Sequence, residues 1–144
     1  MSHSYTKIWI HGIWSTKKRL PLIDEKIEKK VYNILYDEFK DENCPCRIIN
    51  GMPEHVHCLF LLNPQKAISY ILGHIKGCSS HSINEKELIP LKFCWQTGFA
   101  AYSVSESQVE KVYNYIRLQK EHHKKKSFEE EFKELAELHG IPKN

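Results

Sequence analysis

The chain has 144 residues, 41% of them hydrophobic, which suffices for one ordinary core and not for two, so residues 1–144 read as a single domain. Its 21 basic side chains nearly balance 18 acidic ones; a net charge of +3 excludes a uniformly basic nucleic-acid coat and leaves the partner to be read from local clusters. No run approaches the roughly 20 apolar residues that span a bilayer, and Met1 to Lys7 lacks a signal-peptide layout, so no membrane association and a cytosolic location are expected.

Residues 5–14 alternate and are rich in β-branched and aromatic types, which predicts a strand ending at Ser15 to Arg19. Asp24 is placed to cap a helix whose stripe is Ile27, Val31, Ile34, Leu35 and Phe39, ending near Asn43 to Pro45. Two short apolar runs, 46–49 and 55–62, are joined by Asn50-Gly51-Met52-Pro53-Glu54, which carries the turn residues of a hairpin loop. Ile68, Ile71, Leu72 and Ile75 predict a second helix that loosens at Gly77 and Ser79-Ser80. Residues 81–91 have no clear period. Residues 92–102 read as a further strand with Gly98 as a bulge or close-approach point. Ser105 with Gln108 forms a capping-box pattern for a helix with the core stripe Val109, Val112, Tyr113 and Ile116. Ser127 with Glu130 repeats it for a last helix carrying Phe128, Phe132 and Leu135, closed by Gly140 and Pro142.

The order β, α, β, β, α, β is the split βαβ pattern: an α+β, ferredoxin-like sandwich with an antiparallel sheet covered on one face by two helices. The two C-terminal helices are extra to that unit and must pack elsewhere, on the same subunit or on a partner. Cys44, Cys46, Cys58, Cys78 and Cys94 are odd in number and offer no paired metal-binding knuckles, so free thiols are expected.

Within the second hairpin strand, a period of two sends His55 and His57 to one face, while Val56, Cys58, Phe60 and Leu62 anchor the other. Two imidazoles on a rigid element can bind a metal, or they can be half-buried structural histidines. Along the helix after Ser105, at about 100° per residue, Tyr115 falls roughly 110° from the apolar centre. Gln119 is one turn further on the same side, so a hydroxyl and an amide are presented together. Lys17, Lys18 and Arg19 make one basic knot; Arg117, Lys120 and Lys124 to Lys126 make another around His122 and His123.

Taken together, Trp14-Ser15-Thr16-Lys17-Lys18-Arg19, Pro53-Glu54-His55-Val56-His57, Lys76-Gly77, Trp95-Gln96 with Phe99, and Tyr115-Ile116-Arg117-Leu118-Gln119 followed by His122-His123 resemble the HUH single-tyrosine transposases of minimal insertion sequences, the insertion-sequence 200/605 type, including relatives acting on palindromic repeats. The likeness runs over nearly the whole chain. It implies a DNA transposase that cleaves and rejoins single-stranded DNA through a 5′-phosphotyrosine, recognising a hairpin at element ends. In that scheme His55, His57 and Gln119 hold Mg2+ or Mn2+, Tyr115 is the nucleophile, and the protein is a two-fold homodimer with shared active sites. A phenol, with its ordinary pKa near ~10, needs such assistance at neutral pH.

Lys17, Lys18, Arg19, Lys76 and Arg117 are candidate DNA contacts that position phosphates rather than read bases. His122 and His123 are open between proton transfer, phosphate contact and helix capping. Trp95 and Phe99 can stack on an unpaired base or serve as core. Two other functional classes fit the residues: a metal-dependent nuclease or phosphodiesterase using water, and a non-enzymatic nucleic-acid-binding module.

Overall fold

Strand β1 (Trp9–Ser15), helix α1 (Glu28–Asp41), hairpin strands β2 (Cys46–Met52) and β3 (His55–Leu61), helix α2 (Ile68–Glu85) and strand β4 (Ala100–Val104) follow one another in the computed structural model, which describes residues 4–122, 126 and 128–141, with the backbone alone at 122, 128 and 129. Helix α3 (Val109–Arg117), the short α4 (Gln119–His122) and α5 (Phe128–His139) complete the chain. The strands form one sheet in the order β2-β3-β1-β4, and each neighbouring pair is antiparallel. This is the expected ferredoxin-like split βαβ sandwich. Among the described residues no helix is long and apolar enough to cross a membrane.

Alternation along β1 and β3 divides the molecule into two packed layers. Ile10 and Trp14 of β1 and Val56, Cys58 and Phe60 of β3 face the layer formed by α1 and α2, where Val31, Leu35, Phe39, Ile71, Leu72 and Ile75 complete the main core. The intervening residues face the opposite way. There Leu59 and Val104 meet Val109, Val112 and Ile116 of α3, forming a smaller second core. The C-terminal helices therefore fold onto the free face of their own sheet. All five cysteines are free thiols, as expected.

Several boundaries differ from the sequence reading. The first strand begins at Trp9, because pairing with both β3 and β4 starts there. Helix α2 runs through the Gly77 to Ser80 stretch to Glu85: Ser79 Oγ donates to the Lys76 carbonyl and accepts from Trp95 Nε1 at 2.9 Å, so this buried hydroxyl is satisfied inside the helix. The expected strand at 92–102 shrinks to Ala100–Val104. Its first half is a loop held by Asn84, whose side chain bonds both the nitrogen and the carbonyl of Phe93, and Gly98 adopts φ +94°. The Ser105 cap is absent; a 3-10 turn at Glu106–Gln108 leads into α3 instead. In α5, Gly140 turns at φ +64° and the Ile141 nitrogen returns to the Ala136 carbonyl, the expected glycine closure; Ser127 and Pro142 lie outside the described residues.

The hairpin is tighter than its five turn residues suggest, since Met52 pairs with His55 and only Pro53 and Glu54 remain unpaired. Gly51 makes this possible. A Cβ there would lie 2.1 Å from the His55 carbonyl oxygen and 2.9 Å from Val56 Cα. Gly51→Ala is therefore expected to destabilise the protein by about 1–3 kcal/mol through overpacking against backbone that has nowhere to go. Chemical denaturation should record this as a lower midpoint; an unchanged midpoint would remove the close approach.

Candidate active site

His55 and His57 are carried by the inner strand β3, in register with Ser15 and Ile13 on β1 and with Met52 and Asn50 on β2. Both rings point away from the main core, as the strand period requires, yet both are buried because α3 and α5 cover this face. Their Nε2 atoms converge on one carboxylate oxygen, Oε1 of Glu131, at 3.5 Å from His55 and 3.1 Å from His57. Each Nδ1 is held from behind: His55 by Glu54 Oε1 at 3.1 Å, His57 by His11 Nε2 at 2.9 Å. Inward Nε2 atoms with partnered Nδ1 atoms are the arrangement of metal-binding histidines, in which outer hydrogen bonds fix ring orientation.

Burial alone would lower the pKa of His55, but the hydrogen bonds and charges of Glu131 and Glu54 outweigh it and raise the value to about 9. The two carboxylates thus favour positive charge on this ring. The three ligand atoms of His55, His57 and Glu131 lie within 4.8 Å of one another. Gln119 adds a buried amide next to the Tyr115 hydroxyl. Two imidazoles, a carboxylate and an amide oxygen suit a divalent metal ion with open positions left for substrate oxygens.

Tyr115 reaches the same point from α3. Its hydroxyl donates to Glu131 Oε1 at 3.4 Å, and its ring centre lies 5.7 Å from that of His57 in the same chain. Burial raises the phenol pKa, the Glu131 charge raises it further, and the neighbouring Gln119 amide works in the opposite direction. Position is secured by Asn50, which pairs with His57 across the sheet and whose Nδ2 donates to the carbonyls of Ile116 and Arg117. The expected contrast with Tyr113 is softer than a core-versus-surface division: both rings are partly buried at the edge of the second core, and Tyr113 lies beneath the Arg47 guanidinium.

The sequence reading missed Glu131, His139 and His11. Of the apolar residues named for the last helix, Phe132 is 57% exposed, and the covered face of α5 carries Glu131, Ala136 and Leu138, with His139 beside them; the Phe128 side chain lies outside the described residues. Apolar periodicity cannot find a helix face that is polar because it covers a polar site. The usable signal was Glu131 and His139 eight residues apart, close to two helical turns. His11 was hidden in an alternating strand, on the face it shares with His57. It is fully buried, contacts His139 Nε2 through Nδ1 at 2.7 Å, and burial holds its pKa well below the ordinary value.

Burial likewise lowers the pKa of His139, from 6.5 to about 4. It faces His11 from β1 and stacks on Tyr102 from β4 with ring centres 4.4 Å apart. The folded state prefers the neutral ring, so the unfolded state takes up its proton first as pH falls. The stabilisation is present above 6.5 and is lost progressively as pH drops toward 4. Amide exchange in α5, corrected for intrinsic rates, is expected to accelerate over that interval. Constant protection of α5 across it would contradict the assignment.

The other predicted contacts divide into those that border this site and those that do not. Lys17, Lys18 and Arg19 are exposed in a 3-10 turn after β1; Arg19 pairs with Glu54 at 3.9 Å and lines a cavity of about 280 Å³ with His55, Phe99, Glu131 and Phe132. Lys76 instead donates to the carbonyls of Gln96 and Gly98 at 2.7 and 2.6 Å, pinning the loop that carries Phe99. Arg117 is exposed beyond the Tyr115 turn. The side chain of His122, and His123 entirely, lie outside the described residues. Trp95 is core, at right angles to Trp14, whereas Phe99 is 39% exposed.

A ferredoxin-like sheet with a histidine pair on its inner strand and a tyrosine placed over it is the arrangement of motifs on which the family resemblance rested. The family model described as "Transposase IS200 like" matches residues 4–119. The chain belongs to the IS200-like transposase family. It is similar to the ISDra2 transposase TnpA of Deinococcus radiodurans, 26% identical over 114 residues, covering 76% of this chain and 81% of that protein. The fold is also that of a protein assigned as a transposase from Deinococcus radiodurans R1, with TM-score 0.65, 23% identity, and coverage of 83% of this chain and 95% of that one. It is likewise that of a REP-associated tyrosine transposase bound to a REP hairpin, with TM-score 0.60, 18% identity, and coverage of 85% and 74%.

Proposed function

We propose that this transposase cleaves and rejoins single-stranded DNA at hairpin-bearing element ends through a 5′-phosphotyrosine on Tyr115, with residues 1–144 acting as one catalytic unit in the cytosol. The observation that carries the reading is the convergence of the Tyr115 hydroxyl and the Nε2 atoms of His55 and His57 on one carboxylate oxygen. The hairpin-bound relative supports a hairpin as the recognised element. Lys17, Lys18 and Arg19 beside the cavity are suited to hold flanking phosphates, and Arg117 extends that contact beyond the tyrosine helix.

His55, His57, Gln119 and Glu131 would hold Mg2+ or Mn2+. When bound, that ion supplies positive charge to the scissile phosphate and stabilises the charge that builds up there. Tyr115 provides the attacking oxygen: its bond to phosphorus forms as the bond to the 3′ oxygen breaks, and that oxygen takes up the proton that Tyr115 gives to Glu131, leaving as a free 3′ hydroxyl. Glu131, already accepting the phenol hydrogen bond, takes the tyrosine proton. A later 3′ hydroxyl attacking the phosphotyrosine reverses the exchange, so rejoining needs no nucleotide. A two-fold homodimer is part of this proposal, each subunit holding a complete site in the arrangement described.

A labelled hairpin with single-stranded flanks, incubated with protein and Mn2+, is expected to give a covalent band on a denaturing gel. Chelation with EDTA before mixing should abolish that band and leave hairpin binding largely intact, because phosphate and shape contacts supply most of the affinity. Cleavage without an adduct would favour a water-using nuclease, and binding without cleavage a non-enzymatic module.

A further inference from the structure

A histidine that gives its Nε2 lone pair to a cation must, if neutral, carry its proton on Nδ1, and a buried Nδ1–H needs an acceptor. His55 has one in the Glu54 carboxylate. For His57, whose ring has no measurable exposure, the group at Nδ1 is not a carboxylate but a second imidazole, His11 Nε2 at 2.9 Å. His11 can accept there only while its own proton sits on Nδ1, and that nitrogen in turn faces His139 Nε2 at 2.7 Å. Three rings from β3, β1 and α5 therefore admit only one proton order once His57 Nε2 is committed to a cation: His57 Nδ1–H to His11, His11 Nδ1–H to His139.

We propose that His11, backed by His139, is the positioning residue that fixes the ring and tautomer of His57 for metal binding. This rests on the reading of His57 as a metal ligand. It gives His11 a role that packing alone does not require, since a hydrocarbon side chain of similar size could fill the same space. It also gives α5 two grips on one ligand, through Glu131 at Nε2 and through His139 and His11 at Nδ1. The ring contacts agree with one continuous row of tilted, edge-to-edge rings: His11 lies 5.1 Å from His57 and 4.9 Å from His139 between centroids, at interplanar angles of 34° and 50°.

The test is Mn2+ affinity of the full chain, read from the free-ion electron paramagnetic resonance signal and from calorimetry, with no DNA present. His11→Leu removes the acceptor and is expected to weaken Mn2+ binding about 10–100-fold, the usual cost of losing an outer-sphere partner. His11→Gln, whose amide oxygen can accept from His57 Nδ1–H, should restore most of that loss. Wild-type affinity in His11→Leu would overturn the proposal, and so would a folded His11→Gln that binds as weakly as His11→Leu. If substitutions at His11 prevent folding, His139→Leu and His139→Gln at the partly exposed end of the relay should rank in the same order, and equal affinities there would overturn it. Absence of Mn2+ binding by the unsubstituted chain would instead remove the metal reading, and the relay with it.

Discussion

Tyr115→Phe is expected to fold and bind hairpin DNA as the parent does, and to form no covalent adduct. The substitution removes one oxygen and leaves a ring of the same shape against His57, His11 and the second core. The lost hydroxyl donates a 3.4 Å hydrogen bond to Glu131, so the change in stability should stay within about 1 kcal/mol. Activity behaves differently, because no other group on α3 presents a hydroxyl to Glu131: Tyr113 packs beneath Arg47 on another side of the helix. Removing the nucleophile from a covalent mechanism costs on the order of 10^6-fold, which places strand cleavage below detection. Thermal melting, hairpin binding and adduct formation on one preparation check the three parts. Peptide mapping that finds the DNA on Tyr113 would overturn the assignment.

The two halves of this site were not equally legible in the sequence. His55 and His57 were readable because a strand has a strict period of two and their neighbours Val56, Cys58 and Phe60 are unmistakably core. Tyr115 and Gln119 followed from helical geometry, and the structure brings them to the same place although the helix breaks between them at Leu118. The split βαβ order was legible for the same reason: each element contrasts in period with the next. What failed were elements whose inward faces are polar. Helix α5 turns Glu131 and His139 toward the sheet because the sheet there carries histidines rather than apolar side chains, so its apolar residues, exposed Phe132 among them, do not mark the covered face. Ser79 misled in the opposite direction, read as a point where the helix loosens while its hydroxyl bonds within the helix and to Trp95.

The placement of Tyr115 over His57 of the same chain bears on assembly, since the resemblance implied sites shared between subunits. Helix α3 is fastened to its own sheet by Val109, Val112 and Ile116, exposed by 3%, 1% and 0%, and by the Asn50 clamp on its last turn. To serve a partner's histidines it would have to leave that core or have it rebuilt by the partner's own helix. Mixing His57→Ala with Tyr115→Phe chains separates the arrangements. With complete sites in each subunit, a mixed dimer holds one site lacking the histidine and one lacking the nucleophile, so the mixture should be as inactive as either parent. With exchanged tyrosine helices, each mixed dimer has one site with both parts intact. At equal amounts and random pairing, about a quarter of the unsubstituted protein's activity would return, because half the dimers are mixed and half their sites are whole. The expected result for the arrangement described here is no recovery, with hairpin binding retained by both chains. Recovery near a quarter would mean that Tyr115 acts across the two-fold axis, and that the second core re-forms around the partner's helix during the reaction.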